Sequence, residues 1–158
     1  SEGDVSANEE GEGNGEAPEA TDAEAQAGDV KYATFEEAVA AVSEDGGEIT
    51  LLKDAVISEQ VSLPANVTIN GNGNTISTEG EWSADDSYKY MLLANAENVC
   101  IKNITIDAGG NASGGIQFYA SVGGSLEDVT IKNARQLGLN VNASQVTASG
   151  ELAYEGNG

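Results

Sequence analysis

The sequence predicts an all-β fold, a parallel β-helix whose first turn is closed by a short α-helix and preceded by a disordered acidic leader. Three observations predict it. Short apolar–polar–apolar words recur along the chain after Gly47, the words return at near-regular intervals, and a sharp change of composition separates them from the start of the chain.

From Ser1 to Asp29 there are ten acids, no base, and Val5 as the single large apolar side chain. Such a stretch cannot bury enough surface to offset the entropy of ordering it. Residues 1–30 are therefore expected to form a flexible acidic leader or tether, with one domain at 31–158. Without the leader the chain still carries 17 acids against 6 bases, a net charge of −11, so the domain is itself acidic and soluble.

At Thr34 the pattern changes. Thr34 and Glu37 have the Thr-x-x-Glu spacing of a capping box, in which the hydroxyl accepts from the third helical amide and the carboxylate reaches back to the cap amide. Phe35, Ala38, Val39 and Val42 then fall at i, i+3, i+4 and i+7, a one-sided apolar stripe. Gly46 and Gly47 supply a stop. This spacing predicts an amphipathic helix over about 34–43.

The words that follow read as short strands between Asn/Gly turns. Val61-Ser62-Leu63, Val67-Thr68-Ile69, Val99-Cys100-Ile101, Ile104-Thr105-Ile106, Val129-Thr130-Ile131 and Leu139-Asn140-Val141 each alternate apolar with polar or small, as does Ile49-Thr50-Leu51. Strands this short suit a coil that turns a corner every few residues, here over about 48–150. Leu92, Ile116 and Leu139 open comparable strands 24 and 23 residues apart. A second column sets Asn98-Val99-Cys100-Ile101-Lys102-Asn103 against Asp128-Val129-Thr130-Ile131-Lys132-Asn133, 30 residues apart. Fixed strand order with variable loops is what a solenoid permits, because each coil meets only its neighbours. Asn70, Asn72, Asn74, Asn103 and Asn133 are the expected corners, since Asn tolerates left-handed backbone angles and can hydrogen-bond along the stack. Cys100 takes the outward place of Thr68 and Thr130, a small residue that fits a strand.

The two ends of such a stack expose apolar cross-sections and open strand edges. The Phe35/Val39/Val42 face covers the first. After Ala148 the chain is polar and glycine-rich, with only Leu152 and Tyr154 to pack. Either the chain is the N-terminal piece of a longer one, the reading that the usual presence of caps favours, or a partner or second copy covers the last coil.

Composition excludes several functions. A formal charge of −21 repels nucleic acid and anionic lipid, and no apolar run approaches the roughly 20 residues that span a bilayer. With no histidine, imidazole-based triads and zinc sites are unavailable to the chain. The single cysteine forms no internal bridge.

The stretch Gly46-Gly47-Glu48-Ile49-Thr50-Leu51-Leu52, the run from Val67 to Ile76 and the two Val-x-Ile-Lys-Asn words together resemble right-handed parallel β-helix proteins of the pectate-lyase-like superfamily. More narrowly, it looks like the N-terminal portion of bacterial secreted or cell-surface members, in which a helix like this one plugs the first coil. The resemblance covers Tyr32 to roughly Gly150 and implies a fold more than an activity, because this architecture serves lyases, glycosidases and inert stalks alike.

Glycosidases of that superfamily use aspartates on consecutive coils with a histidine and an Arg-Ile-Lys-like triplet. Here Asp85-Asp86 is a pair of adjacent loop carboxylates, and the histidine and triplet are missing. Its lyases combine calcium with an arginine or lysine base. Asp107, Asp128 and Arg135 sketch that arrangement, but no Asp-x-Asp-x-Asp cluster supplies the six to eight oxygens calcium takes. No catalytic residue, metal site or cofactor is assigned. The candidate ligand-binding residues are Trp82, Tyr88 and Tyr90 with Asp85 and Asp86, in the longest departure from the repeat, Ser77 to Tyr90, where aromatic faces lie beside carboxylates. The alternative role for Trp82 and Tyr90 is to fold down over the coils.

The expectation is a non-catalytic, exported or cell-surface module for adhesion, glycan contact or use as a stalk, its export segment already removed. Its expected partner is a glycan or another surface protein, with no nucleic acid and no membrane insertion. The runner-up is the N-terminal part of a polysaccharide lyase or glycoside hydrolase whose catalytic coils lie beyond Gly158.

Overall fold

In a computed structural model, residues 22–82 and 89–158 are described. The chain forms a β-solenoid of about four turns with one short helix. Thirteen strands follow in chain order among the described residues. The first elements are β1 (Ala25–Ala27), β2 (Val30–Tyr32), α1 (Phe35–Ala41) and β3 (Gly47–Leu51), then β4 (Ala55–Ile57), β5 (Val61–Leu63), β6 (Val67–Asn70) and β7 (Thr75–Thr78). Beyond these come β8 (Tyr90–Ala94), β9 (Cys100–Asp107), β10 (Gly114–Tyr119), β11 (Gly124–Lys132), β12 (Leu137–Asn142) and β13 (Val146–Glu155).

The turns stack in parallel register on three faces. On the first, Ile49, Ile69, Ile101 and Leu126 lie over one another. On the second the column is Ala55, Ile76, Ile106 and Ile131. On the third, Leu92, Ile116 and Leu139 align as their spacing predicts, with Val61 beneath Leu92. Down to Ile131 the members of the first two columns are fully or almost fully buried, and each such aliphatic side chain contributes about 1.5–3 kcal/mol of burial.

The second predicted column is only half right. Cys100 pairs with Thr68 as expected, but on its other side it pairs with Ser125, and Thr130 stacks on Thr105. The two look-alike words lie on different faces because β9 and β11 each bend through a corner. Asn103 (φ 53°) and Asp128 (φ 55°) are left-handed there and divide each strand between two faces of the solenoid. Asn72 and Asn133 are also left-handed, as predicted; Asn70 and Asn74 are not, and Asn66 and Asn98 are corners that the words did not mark. Side chains tie the corners along the axis: Asn98 Nδ2 donates to Asn66 Oδ1 (3.0 Å), Asn66 Nδ2 to the Glu44 carbonyl (2.9 Å), and the Glu151 amide to Asp128 Oδ1 (2.9 Å).

The helix is shorter than its stripe, and its cap is shared. Thr34 Oγ1 accepts from the Glu37 amide (3.1 Å), the predicted half of the box. Glu24 Oε1 accepts from the Phe35 amide (2.9 Å), a contact eleven residues upstream that the capping spacing does not contain. The helix stops at Ala41, where Val42 turns extended, before the glycines are reached. Phe35 and Ala38 are fully buried and Val39 nearly so, so this face plugs the first turn.

Two segments depart from the expected boundaries. Residues 22–30, grouped by composition with the leader, include β1 and the start of a hairpin: β1 pairs antiparallel with both β2 and β3, and Ala25 is fully buried. An Ala-Gln-Ala strand has no β-branched residue to announce it. At the other end the polar stretch after Gly150 continues the coil, with Leu152, Ala153, Tyr154 and Glu155 paired to β11. The rest of the leader, residues 1–21, lies outside the described residues.

Candidate functional site

A depression of about 430 Å3 lies beside the start of β8, lined by Ser58, Glu59, Gln60, Glu81, Trp82 and Lys89. Its floor and walls have different origins. Ser58, Glu59 and Gln60 form the turn between β4 and β5, one rung earlier, and the Gln60 side-chain oxygen accepts from the Tyr90 amide (3.1 Å), which ties this turn to the start of β8. Trp82 folds inward: it is 6% exposed, and its indole Nε1 donates to the Glu79 carbonyl (3.1 Å). The Glu79 amide in turn donates to the Ile57 carbonyl (3.0 Å), anchoring the start of the insertion to the rung below.

Of the predicted site residues, Trp82 borders the depression, while Tyr90 is buried in β8 with its ring against Gly114. Both rings are buried, Trp82 against the core cluster and Tyr90 within β8. Tyr88, Asp85 and Asp86 lie outside the described residues. Glu59 and Gln60 also line the depression, and the sequence does not mark them. Glu59 and Gln60 stand in a turn that is ordinary in sequence, and only the stacking of one rung on the next brings them opposite the insertion. Asp107, Asp128 and Arg135, the atoms of the sketched lyase arrangement, are engaged structurally. Asp107 Oδ1 accepts from Asn133 Nδ2 (2.8 Å), and Arg135 donates to the Asn111 carbonyl (3.0 Å) and Ser113 Oγ (2.9 Å). Among the described residues no group of three His, Cys, Asp or Glu side chains is placed to hold a metal ion.

The local field is negative. Glu36, in the first turn of α1, has its carboxyl raised above the ordinary value of 4.5, chiefly by burial, with the Glu24, Glu37 and Glu59 charges adding to the rise and a backbone hydrogen bond opposing it. A carboxyl raised on folding costs stability while ionised; the cost is present at neutral pH, fades as pH falls through the raised value, and is gone below 4.5. Glu36→Gln is therefore expected to raise the thermal midpoint at about pH 7 and to leave it unchanged near about pH 3. Thermal unfolding followed by circular dichroism at both pH values checks this, and an equal shift at both would refute it.

Another depression, of about 370 Å3, lies at the corner formed by Asn103 and Asp128 and is lined by Asn72, Gly73, Asn103, Ile104, Thr105, Asp128 and Thr130. Compared with family models, with curated proteins and with solved structures, the chain matches none.

Proposed function

We propose that the chain is a non-catalytic, exported surface module, related to the pectate-lyase-like β-helices, that holds an uncharged glycan in the lateral depression beside Trp82. The observation that carries this reading is the lining itself: two carboxylates, a carboxamide, a hydroxyl and one ammonium converge around an indole edge. Sugar hydroxyls both donate and accept, and such a mixed set can pair them in either sense. Charge selects among glycans. Glu59 and Glu81 face the depression with Lys89 as its only cation among the described residues, and the whole chain carries −21, so acidic polysaccharides are repelled and neutral ones are admitted.

The test is a glycan array probed with the whole chain and with a Glu59→Gln/Glu81→Gln double variant. Both positions are exposed, so the fold is retained. Binding to neutral glycans is expected to fall about tenfold or more in the variant, the loss of one or two hydrogen bonds to charged acceptors. Trp82→Ala is unsuitable, since removing a buried indole also disturbs the core. If no glycan is bound, or the double variant binds equally, the reading fails.

A further inference from the structure

In the depression beside Trp82, one polar group has its direction fixed by the bond on its other side. Gln60 directly precedes β5 and Tyr90 opens β8, strands that pair in register from Val61 opposite Leu92 to Leu63 opposite Ala94. Between them the Tyr90 amide donates to Gln60 Oε1 (3.1 Å). A backbone N–H can only donate, so the carboxamide oxygen must be the atom that meets it; turned over, the side chain would set donor against donor. That leaves Nε2, with two hydrogens to donate, as the branch that meets a ligand, and among the described residues it has no protein acceptor.

The other groups of the lining differ from it. Glu59 and Glu81, when ionised, only accept. Trp82 gives its indole hydrogen to the Glu79 carbonyl (3.1 Å) and keeps none for a ligand. The Ser58 hydroxyl rotates and serves in either sense, and Lys89 is a cation on a flexible stem. Among the described residues, Gln60 Nε2 is therefore the one neutral donor of the lining whose direction is set before a ligand arrives.

Resting on the glycan reading, we propose that Gln60 determines its specificity: Nε2 donates to the carbonyl oxygen of an N-acylated amino sugar, and the carboxylate of Glu59 accepts that group's N–H. A sugar hydroxyl must serve both neighbours from a single oxygen, whereas an acyl amide has its donor and its acceptor on different atoms and cannot exchange them. Glu59 and Gln60, adjacent in the turn between β4 and β5, offer the matching acceptor and donor. The acylamino group is uncharged, so the acids that repel anionic sugars admit it. The volume also suits a sugar, since about 430 Å3 falls within the roughly 300–1,000 Å3 of small-ligand clefts. A site built around a fixed donor discriminates against a ligand that pairs it less well, because the donor has no other partner to turn to.

Titration calorimetry of the whole chain compares N-acetylated chitotetraose with cellotetraose, which share length and linkage and differ at the acetamido group alone. The chito-oligosaccharide is expected to bind about tenfold more tightly, and this comparison requires no variant to fold. Gln60→Glu keeps an oxygen for the Tyr90 amide and puts a second oxygen in place of the NH2 group. It is expected to bind the two oligosaccharides alike, with the circular dichroism unchanged. Equal binding of both by the unaltered chain, or a preference that Gln60→Glu retains, overturns the assignment of Gln60 and leaves the glycan reading standing. A chain that binds neither oligosaccharide overturns it as well, and the glycan array then decides the parent reading by itself.

Discussion

Phe35→Ala is expected to destabilise the fold by about 3–5 kcal/mol, a large part of the roughly 5–15 kcal/mol that a domain of this size has. Phe35 is fully buried and is the largest side chain of the α1 face that closes the first turn. Its removal has two consequences beyond the lost transfer energy. The cavity lies at the end of the spindle, and Ala38 and Val39 are the only other buried side chains that hold the short helix against β3 and β4. Once α1 loosens, the bond from the Phe35 amide to Glu24 is lost, and with it a tie between the plug and the segment leading into β1. An exposed cross-section and sheet edge then favour aggregation. Urea denaturation measures the effect: a lower midpoint with the slope unchanged is expected, and Phe35→Leu should recover all but about 1.5 kcal/mol. A loss under about 1 kcal/mol for the alanine variant would mean that the hairpin closes the end without the helix.

The columns explain what the sequence could and could not disclose. Leu92, Ile116 and Leu139 are readable because the third face carries one strand per turn, so spacing and register coincide. The Val-x-Ile-Lys-Asn words mislead because one bent strand contributes to two faces, and similar words serve either. Ile104-Thr105-Ile106, 25 residues before Val129-Thr130-Ile131, is the true neighbour, and its interval is close to the 24 and 23 of the third face. A common interval is thus the better guide, since neighbouring columns climb together. β1 is not legible because no β-branched or aromatic residue marks it; it pairs with β3 through Ala25, Gln26 and Ala27. The depression was legible only in part. Aromatic residues announce an insertion, but whether they cover or contact depends on the rung below, and Trp82 is drawn down by the Glu79 carbonyl. Glu59 and Gln60 reach it through stacking, which local pattern does not encode.

Gly71 and Gly73 lie in one turn, and they are expected to respond to alanine for different reasons and by different amounts. A Cβ on Gly71 would stand 2.5 Å from the Asn103 carbonyl oxygen and 2.5 Å from Ile104 Cβ, at the place where one rung crosses the next. Both obstacles belong to or adjoin the backbone of a corner fixed by the left-handed Asn103. The Gly71 amide also donates to the Lys102 carbonyl (2.8 Å), and the Gly73 amide to that of Asn103 (2.9 Å), so the turn cannot lift away without breaking the ties between the second and third turns. Gly71→Ala is therefore expected to cost about 3 kcal/mol, the upper part of the range for overpacking. Gly73 differs: its φ is +82° and a Cβ there meets nothing within 4 Å. Gly73→Ala should cost only the conformational penalty of the left-handed region, about 1–2 kcal/mol. Denaturation of the two variants side by side separates the effects. If Gly73→Ala is the more damaging, contact between rungs is not what excludes a side chain from Gly71, and the tight stacking of these two turns is wrong.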